Sequence, residues 1–201
     1  RNGFSVAFGN GQYRALSTNG GGTSVVLDST DGVTFTNTVM QSFSAPVTAN
    51  IRFLGNAFYV AGMQRVYALP SGTAIYSGSQ EFRALASGNG TLAALGRWGA
   101  LATTFDAGTM ALREPPGGST LNAAAFGNGV FVAVGEDGQI LRSTDGVAWT
   151  VVAEGAPHRY FSMAYGAGRF VAMAGANGSY GRSLTSTDGI NWSYLPRLGY
   201  A

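Results

Sequence analysis

Ten carboxylates, one histidine, twelve arginines and a single tryptophan between glycines are the residues of this chain with chemistry to offer. Cleaving a glycosidic bond takes an acid on one side of it and a nucleophile or base on the other, so paired carboxylates are the first thing to seek. Asp31, Asp145 and Asp188 stand in matching Ser-x-Asp-Gly segments, where a carboxylate accepts backbone N–H groups inside a turn. Asp106 reads as a turn of the same kind, and Asp28 lies beside one. Glu136 and Asp137 share one loop, while Glu114 and Glu154 fall in connections between repeats. Only Glu81 falls at the start of an inner segment, and one axial carboxylate cannot do the work of three. His158 is the sole histidine and cysteine is absent, which excludes multi-histidine and thiolate metal sites and all disulfides. The expectation is a non-enzymatic chain with no cofactor and no metal, in which His158 is an exposed loop residue.

All twelve basic residues are arginines, the net charge is +2, and they are scattered. Nucleic-acid binding calls for a dense basic stripe, and none is visible. Arg52, Glu81, Arg83 and Arg159 fall near the starts of inner segments, where they would rim a central opening or pair with one another. Trp98 follows Arg97 in a turn flanked by Gly96 and Gly99, a place where no core residue is required. An exposed indole there can stack on a sugar ring or anchor a protein contact. Tyr180 with Arg182 is a second candidate of the same type.

These residues are set on a repeat. The segment from Leu121 reads LNAAAFGNG VFVAVGEDG QILRSTDG VAWTVV, and kindred segments start at Phe4, Ile51, Phe82 and Tyr160. A first glycine turn falls at Gly9, Gly55, Gly88, Gly127 and Gly166, and a second turn at Asp31, Ser71, Asp106, Asp145 and Asp188. A period of about 40 residues with four short segments is that of one propeller blade. Each segment is rich in Val, Phe, Tyr, Trp and Thr and is bounded by Asn-Gly or Asp-Gly, which supply the positive φ angles of tight hairpins. The fold expected is all-β: a five-bladed β-propeller of four-stranded antiparallel blades, spanning about 1–40, 41–79, 80–116, 117–154 and 155–201. Part of a larger propeller is the alternative. Small residues such as Ala84, Ala86, Ala123, Ala124 and Ala125 suit crowded inner strands.

Composition agrees. Hydrophobic residues make up 45% and charged residues 11%, against about a quarter charged in ordinary domains. No apolar run reaches the length of a membrane span. The chain begins at Arg1 rather than Met, so a removed leader or an upstream domain is expected.

The Ser-x-Asp-Gly-aromatic turns resemble the Asp-box, or BNR, turn of sialidase-like propellers. The matching residues are Ser29, Asp31, Gly32 and Phe35; Ser143, Asp145, Gly146 and Trp149; and Ser186, Asp188, Gly189 and Trp192. Here one residue fewer separates Asp from Gly than in the family pattern, and the Ser71 and Asp106 copies are degraded. The resemblance implies a turn between the third and fourth strands, with the aromatic packed against the neighbouring blade. It does not extend to sialidase activity, for the arginine cluster, Tyr–Glu pair and Arg-Ile-Pro signature have no counterpart. Five-bladed arabinanase-like enzymes, which place three carboxylates at the axis, are not matched either.

Function is then expected on the propeller face that carries the loops 40–46, 78–81, 113–120 and 154–159, with 19–23, 63–65, 96–99, 136–138 and 176–182. The partner expected is a glycan or a surface protein, met outside the cell, at a cell surface or on a virion, of bacterial or phage origin. A structural decoration or spacer role within a larger chain, filament, fibre or surface layer is the alternative, and a glycosidase-like enzyme using Glu81 is the third reading.

Overall fold

A computed structural model describes residues 2–18, 24–39, 51–62, 64–105, 108–156, 158–175 and 183–195. Twenty strands fold into five sheets of four, each a simple antiparallel meander, arranged as a β-propeller. The five-bladed, all-β expectation therefore holds. Blade 1 comprises β1 (Asn2–Gly9), β2 (Gln12–Thr18), β3 (Ser24–Ser29) and β4 (Thr36–Val39). Blade 2 comprises β5 (Ile51–Leu54), β6 (Ala57–Ala61), β7 (Arg65–Leu69) and β8 (Thr73–Ser77). Blade 3 comprises β9 (Phe82–Gly88), β10 (Thr91–Gly96), β11 (Leu101–Phe105) and β12 (Ala111–Arg113). Blade 4 comprises β13 (Leu121–Gly127), β14 (Val130–Gly135), β15 (Ile140–Ser143) and β16 (Thr150–Ala153). Blade 5 comprises β17 (Arg159–Gly166), β18 (Arg169–Gly175), β19 (Ser183–Ser186) and β20 (Ser193–Tyr194). Among the described residues one turn of 3-10 helix, Arg97–Gly99, is the exception to the strands.

The first hairpin of each blade is set by its turn. Asn128 and Gly129 both have positive φ, the pair of angles that a two-residue hairpin loop needs, and Gly127 faces Val130 across it. Blade 2 departs from the glycine spacing. In register with Gly127 stands Leu54, because Gly55 occupies the turn position itself. Opposite it, blade 3 carries Ser87 where other blades carry an aromatic, so a large and a small side chain have changed places. The Ser87 hydroxyl donates to the Phe53 carbonyl across that seam at 2.9 Å.

Four apolar clusters lie between successive blades, one at each of the seams 1–2, 2–3, 3–4 and 4–5. At the last, Ala123, Ala125, Val132 and Val134 of blade 4 meet Tyr160, Met163, Phe170 and Ala172 of blade 5. The inner-strand alanines are thus small because two sheets converge on them. A fully buried ring such as Phe131 or Phe170 contributes roughly 1.5–3 kcal/mol.

Candidate functional site

The Ser-x-Asp-Gly turns do what their chemistry dictates. In blade 4, the Ser143 hydroxyl donates to Asp145 Oδ1 and accepts the Gly146 N–H, while Val147 and Ala148 N–H both donate to Asp145 Oδ1. Ser29 with Asp31 and Ser186 with Asp188 repeat the pattern. These donors hold all three carboxyls below the usual range: Thr34 then Val33 at Asp31, Val147 at Asp145, Asn191 then Ile190 at Asp188. The indole N–H of Trp149 donates to Gly146 O at 2.8 Å and that of Trp192 to Gly189 O. Trp149 packs into the 3–4 seam and Trp192 against the 4–5 seam. The three aspartates thus spend Oδ1 on backbone and hydroxyl donors of their own turns. Asp106 lies outside the described residues.

The charged residues near the inner strands take other partners than one another. Glu81 pairs with Arg97 at 3.1 Å and Arg159 with Glu136 at 3.3 Å. Arg83 donates to Asn122 Oδ1, and Asn122 in turn donates to the Tyr160 carbonyl. Arg83 and Asn122 occupy the bulges near the starts of β9 and β13, and a bulge re-aims its side chain out of the regular ladder. Arg52 donates to the Ile51 carbonyl, and burial lowers its guanidinium pKa. His158 is half-buried rather than exposed; its carbonyl accepts the Gly138 N–H and so ties two loops together. Among the described residues no cluster of three His, Asp or Glu side chains could hold a metal. Tyr180 and Arg182 lie outside the described residues.

Arg97, Trp98 and Glu81 do come together. The Arg97 N–H donates to the Glu81 carbonyl, the Gly99 N–H to Ser119 O, the Ala100 N–H to Arg97 O and the Gly96 N–H to Ala100 O. A β-carbon on Gly96 would strike the Glu81 carbonyl, so this turn lies flush on the strand entry. Trp98 sits at its apex with φ +51° and ψ +41°, a left-handed conformation that suits Gly, Asn or Asp and strains a bulky residue. Blade 4 builds the same turn from Glu136, Asp137 and Gly138, with Asp137 at φ +53°. The backbone there needs only an aspartate. A tryptophan in that slot breaks the local rule and leaves its side chain 75% exposed. Local rules are broken chiefly where function demands it.

The Arg97 guanidinium lies 5.3 Å from the Trp98 ring centroid while its Nη1 holds Glu81. The indole is thereby oriented from one side. Beside it opens a groove of about 550 Å³, lined by Gln80, Ala100, Leu101, Leu112, Arg113 and Pro115 among others. Leu112 is exposed on β12, the outer edge strand of blade 3. Arg113 is steadied by the Thr103 hydroxyl, which accepts from Nε at 2.9 Å. The groove thus has an apolar wall, a charged end at Arg113 and Glu114, and a strand edge along one side. Sequence reasoning singled out Trp98 and Arg97 and expected the loops 96–99 and 113–120 on one face, but it did not name Leu112, which joins them only through the pairing of β12 with β11.

No protein family and no curated protein matches this sequence. Solved structures do. YCF48 bound to a D1 peptide is 16% identical over 94% of this chain and 65% of that one, with a TM-score of 0.63. A chain of the nidogen–laminin complex is 10% identical over 91% of this chain and 74% of that one, at 0.67. The N-terminal domain of Nup159 is 14% identical over 94% and 60%, at 0.59. The shared property is the β-propeller fold. At such identity it is the fold alone, and this chain spans about two thirds or less of the YCF48 and Nup159 chains.

Proposed function

We propose that this propeller is a non-enzymatic recognition module whose partner is a protein, engaged as an extended segment lying in the Trp98 groove. The observation that carries the reading is Trp98: a large apolar ring held in strain on a fully hydrogen-bonded turn, facing solvent at the mouth of a groove. A pre-positioned aromatic is the typical anchor of an interface, because little side-chain entropy is left to lose on binding. The strand edge of β12 offers backbone groups to an extended partner, the mode of β-augmentation. That YCF48 is seen with a peptide and nidogen with laminin supports a protein partner for a propeller of this kind.

The test presents the immobilised chain to a displayed peptide library and, in parallel, to a glycan array. Enrichment of extended peptides with apolar anchors, lost in Trp98→Ala, is the expected result. Glycan capture that depends on Trp98, without peptide enrichment, would overturn it.

A further inference from the structure

Two guanidiniums serve the Trp98 groove, and they differ in what they have left to give. Arg97 lies over the indole and holds Glu81. Arg113, which lines the groove itself, gives only its Nε, to the Thr103 hydroxyl. The ion pairs among the described residues are Arg14–Asp28, Arg97–Glu81 and Arg159–Glu136, so none of these carboxylates answers Arg113. Its Nη1 and Nη2 take no partner among the described residues and are not sealed from solvent.

Sheet register is what aims this guanidinium. Across β11 and β12, Leu101 pairs with Arg113 and Thr103 with Ala111, which puts Arg113 and Thr103 on one face of blade 3 as diagonal neighbours. Thr103 is buried, so its hydroxyl is a fixed anchor. With Nε held there, the planar fork is set by two strands rather than by a free side chain. The open Nη1–Nη2 edge matches the two oxygens of a carboxylate, and a fork already in place has little freedom to lose on binding one. Glu114 supplies the opposite charge next door. It is exposed and no side chain among the described residues holds it. A charge standing free in water is screened and contributes little.

We infer that the segment bound in the Trp98 groove is acidic: it carries an aspartate or glutamate side chain that pairs with Arg113, a few residues from the apolar side chain that covers Trp98. This rests on the reading of the groove as a peptide site, and it adds the residue that chooses among peptides. Charge complementarity makes the choice, since a basic segment would set like charge against Arg113. The groove continues past Arg113 to Pro115 and Gly117. A segment that ended at Arg113 would leave that stretch uncovered, so the carboxylate belongs to a side chain and not to a chain end.

Random synthetic peptides, arrayed once with amidated and once with free C-termini, test this against the wild-type chain, Trp98→Ala and Arg113→Gln. The wild type is expected to capture, on both arrays, peptides in which an acidic residue stands at a fixed short spacing from an apolar one. Replacing that acid by its amide in a selected peptide weakens binding to the wild type about tenfold or more. The same replacement hardly changes binding to Arg113→Gln, a coupling that a merely structural role for Arg113 does not produce. Because the change is made in the peptide, the fold of the chain is untouched. Trp98-dependent capture without acidic preference, or amide peptides that bind as well as their acids, would overturn the inference and leave the peptide site standing. Capture confined to free C-termini would also overturn it, giving Arg113 a terminal carboxylate instead. If no peptide is captured through Trp98, the peptide site and the inference fall together.

Discussion

The ring of Phe126 occupies the volume that a β-carbon on Gly88 would need. Tyr165 does the same at Gly127 and Phe53 at Gly9, so a seam is built from an omitted side chain on one blade and an aromatic on the next. Forcing a methyl into that seat pushes the ring out of a packed cluster. Gly88→Ala and Gly127→Ala are therefore expected to lose about 1–3 kcal/mol each. Gly166→Ala should stay within about 0.5 kcal/mol in dilute solution, because nothing stands within 4 Å. Urea unfolding midpoints at unchanged m-value compare the three.

Trp98 pays for its exposure in backbone strain. Trp98→Gly relieves a left-handed φ and is expected to stabilise the chain by up to about 1 kcal/mol, a rise of roughly 2–4 °C in Tm. The same change abolishes capture of library-selected peptides. A variant that melts higher and still binds would remove the indole from the site.

Glu81 acts through Arg97. The pair is partly exposed, so Glu81→Gln is expected to cost under about 1 kcal/mol in stability. It releases the guanidinium that lies over the indole, and peptide binding weakens while the melting temperature hardly moves. Calorimetric titration beside a thermal scan separates the two effects.

Acid should loosen the turns before the seams. The carboxyls of Asp31, Asp145 and Asp188 are depressed in the folded chain by backbone donors, whereas in the unfolded chain an aspartate titrates near 3.9. A depressed folded pKa contributes stability that is complete above the unfolded value and drains away as pH falls towards the folded one. The urea midpoint is thus expected to be level from about pH 7 to 5 and to decline below about pH 4. Replacing all three aspartates by asparagine flattens that decline.

Removing the Ser143 hydroxyl takes an acceptor from the Gly146 N–H and a donor from Asp145 in a buried corner. Ser143→Ala is expected to lose about 1–3 kcal/mol, measured by urea unfolding.

Much of this was legible in local chemistry. Asn128-Gly129 and Ser143-Thr144-Asp145-Gly146 encode their turns within a few residues, because φ preference and Asp–amide bonding act over that distance. Blade 2 shows the limit: Gly55 looks like the landmark glycine, yet pairing puts Leu54 in that slot, and only the opposing Ser87 explains how a leucine fits. Trp98 was visible as an aromatic with no core to serve. Its groove was legible only in part: the loops 96–99 and 113–120 were expected on one face, but Leu112 reaches it from β12, a strand more than ten residues away whose pairing local chemistry does not fix.

Periodicity by itself determined that five four-stranded units recur, because hydrogen bonding and turn geometry are written in neighbours along the chain. Which faces are covered was decided only by the tertiary structure. Phe53 and Phe8 stand in equivalent sequence, and one is packed on Gly9 while the other faces solvent. Burial is a property of what lies opposite, and the strand that lies opposite is a whole blade away in the chain.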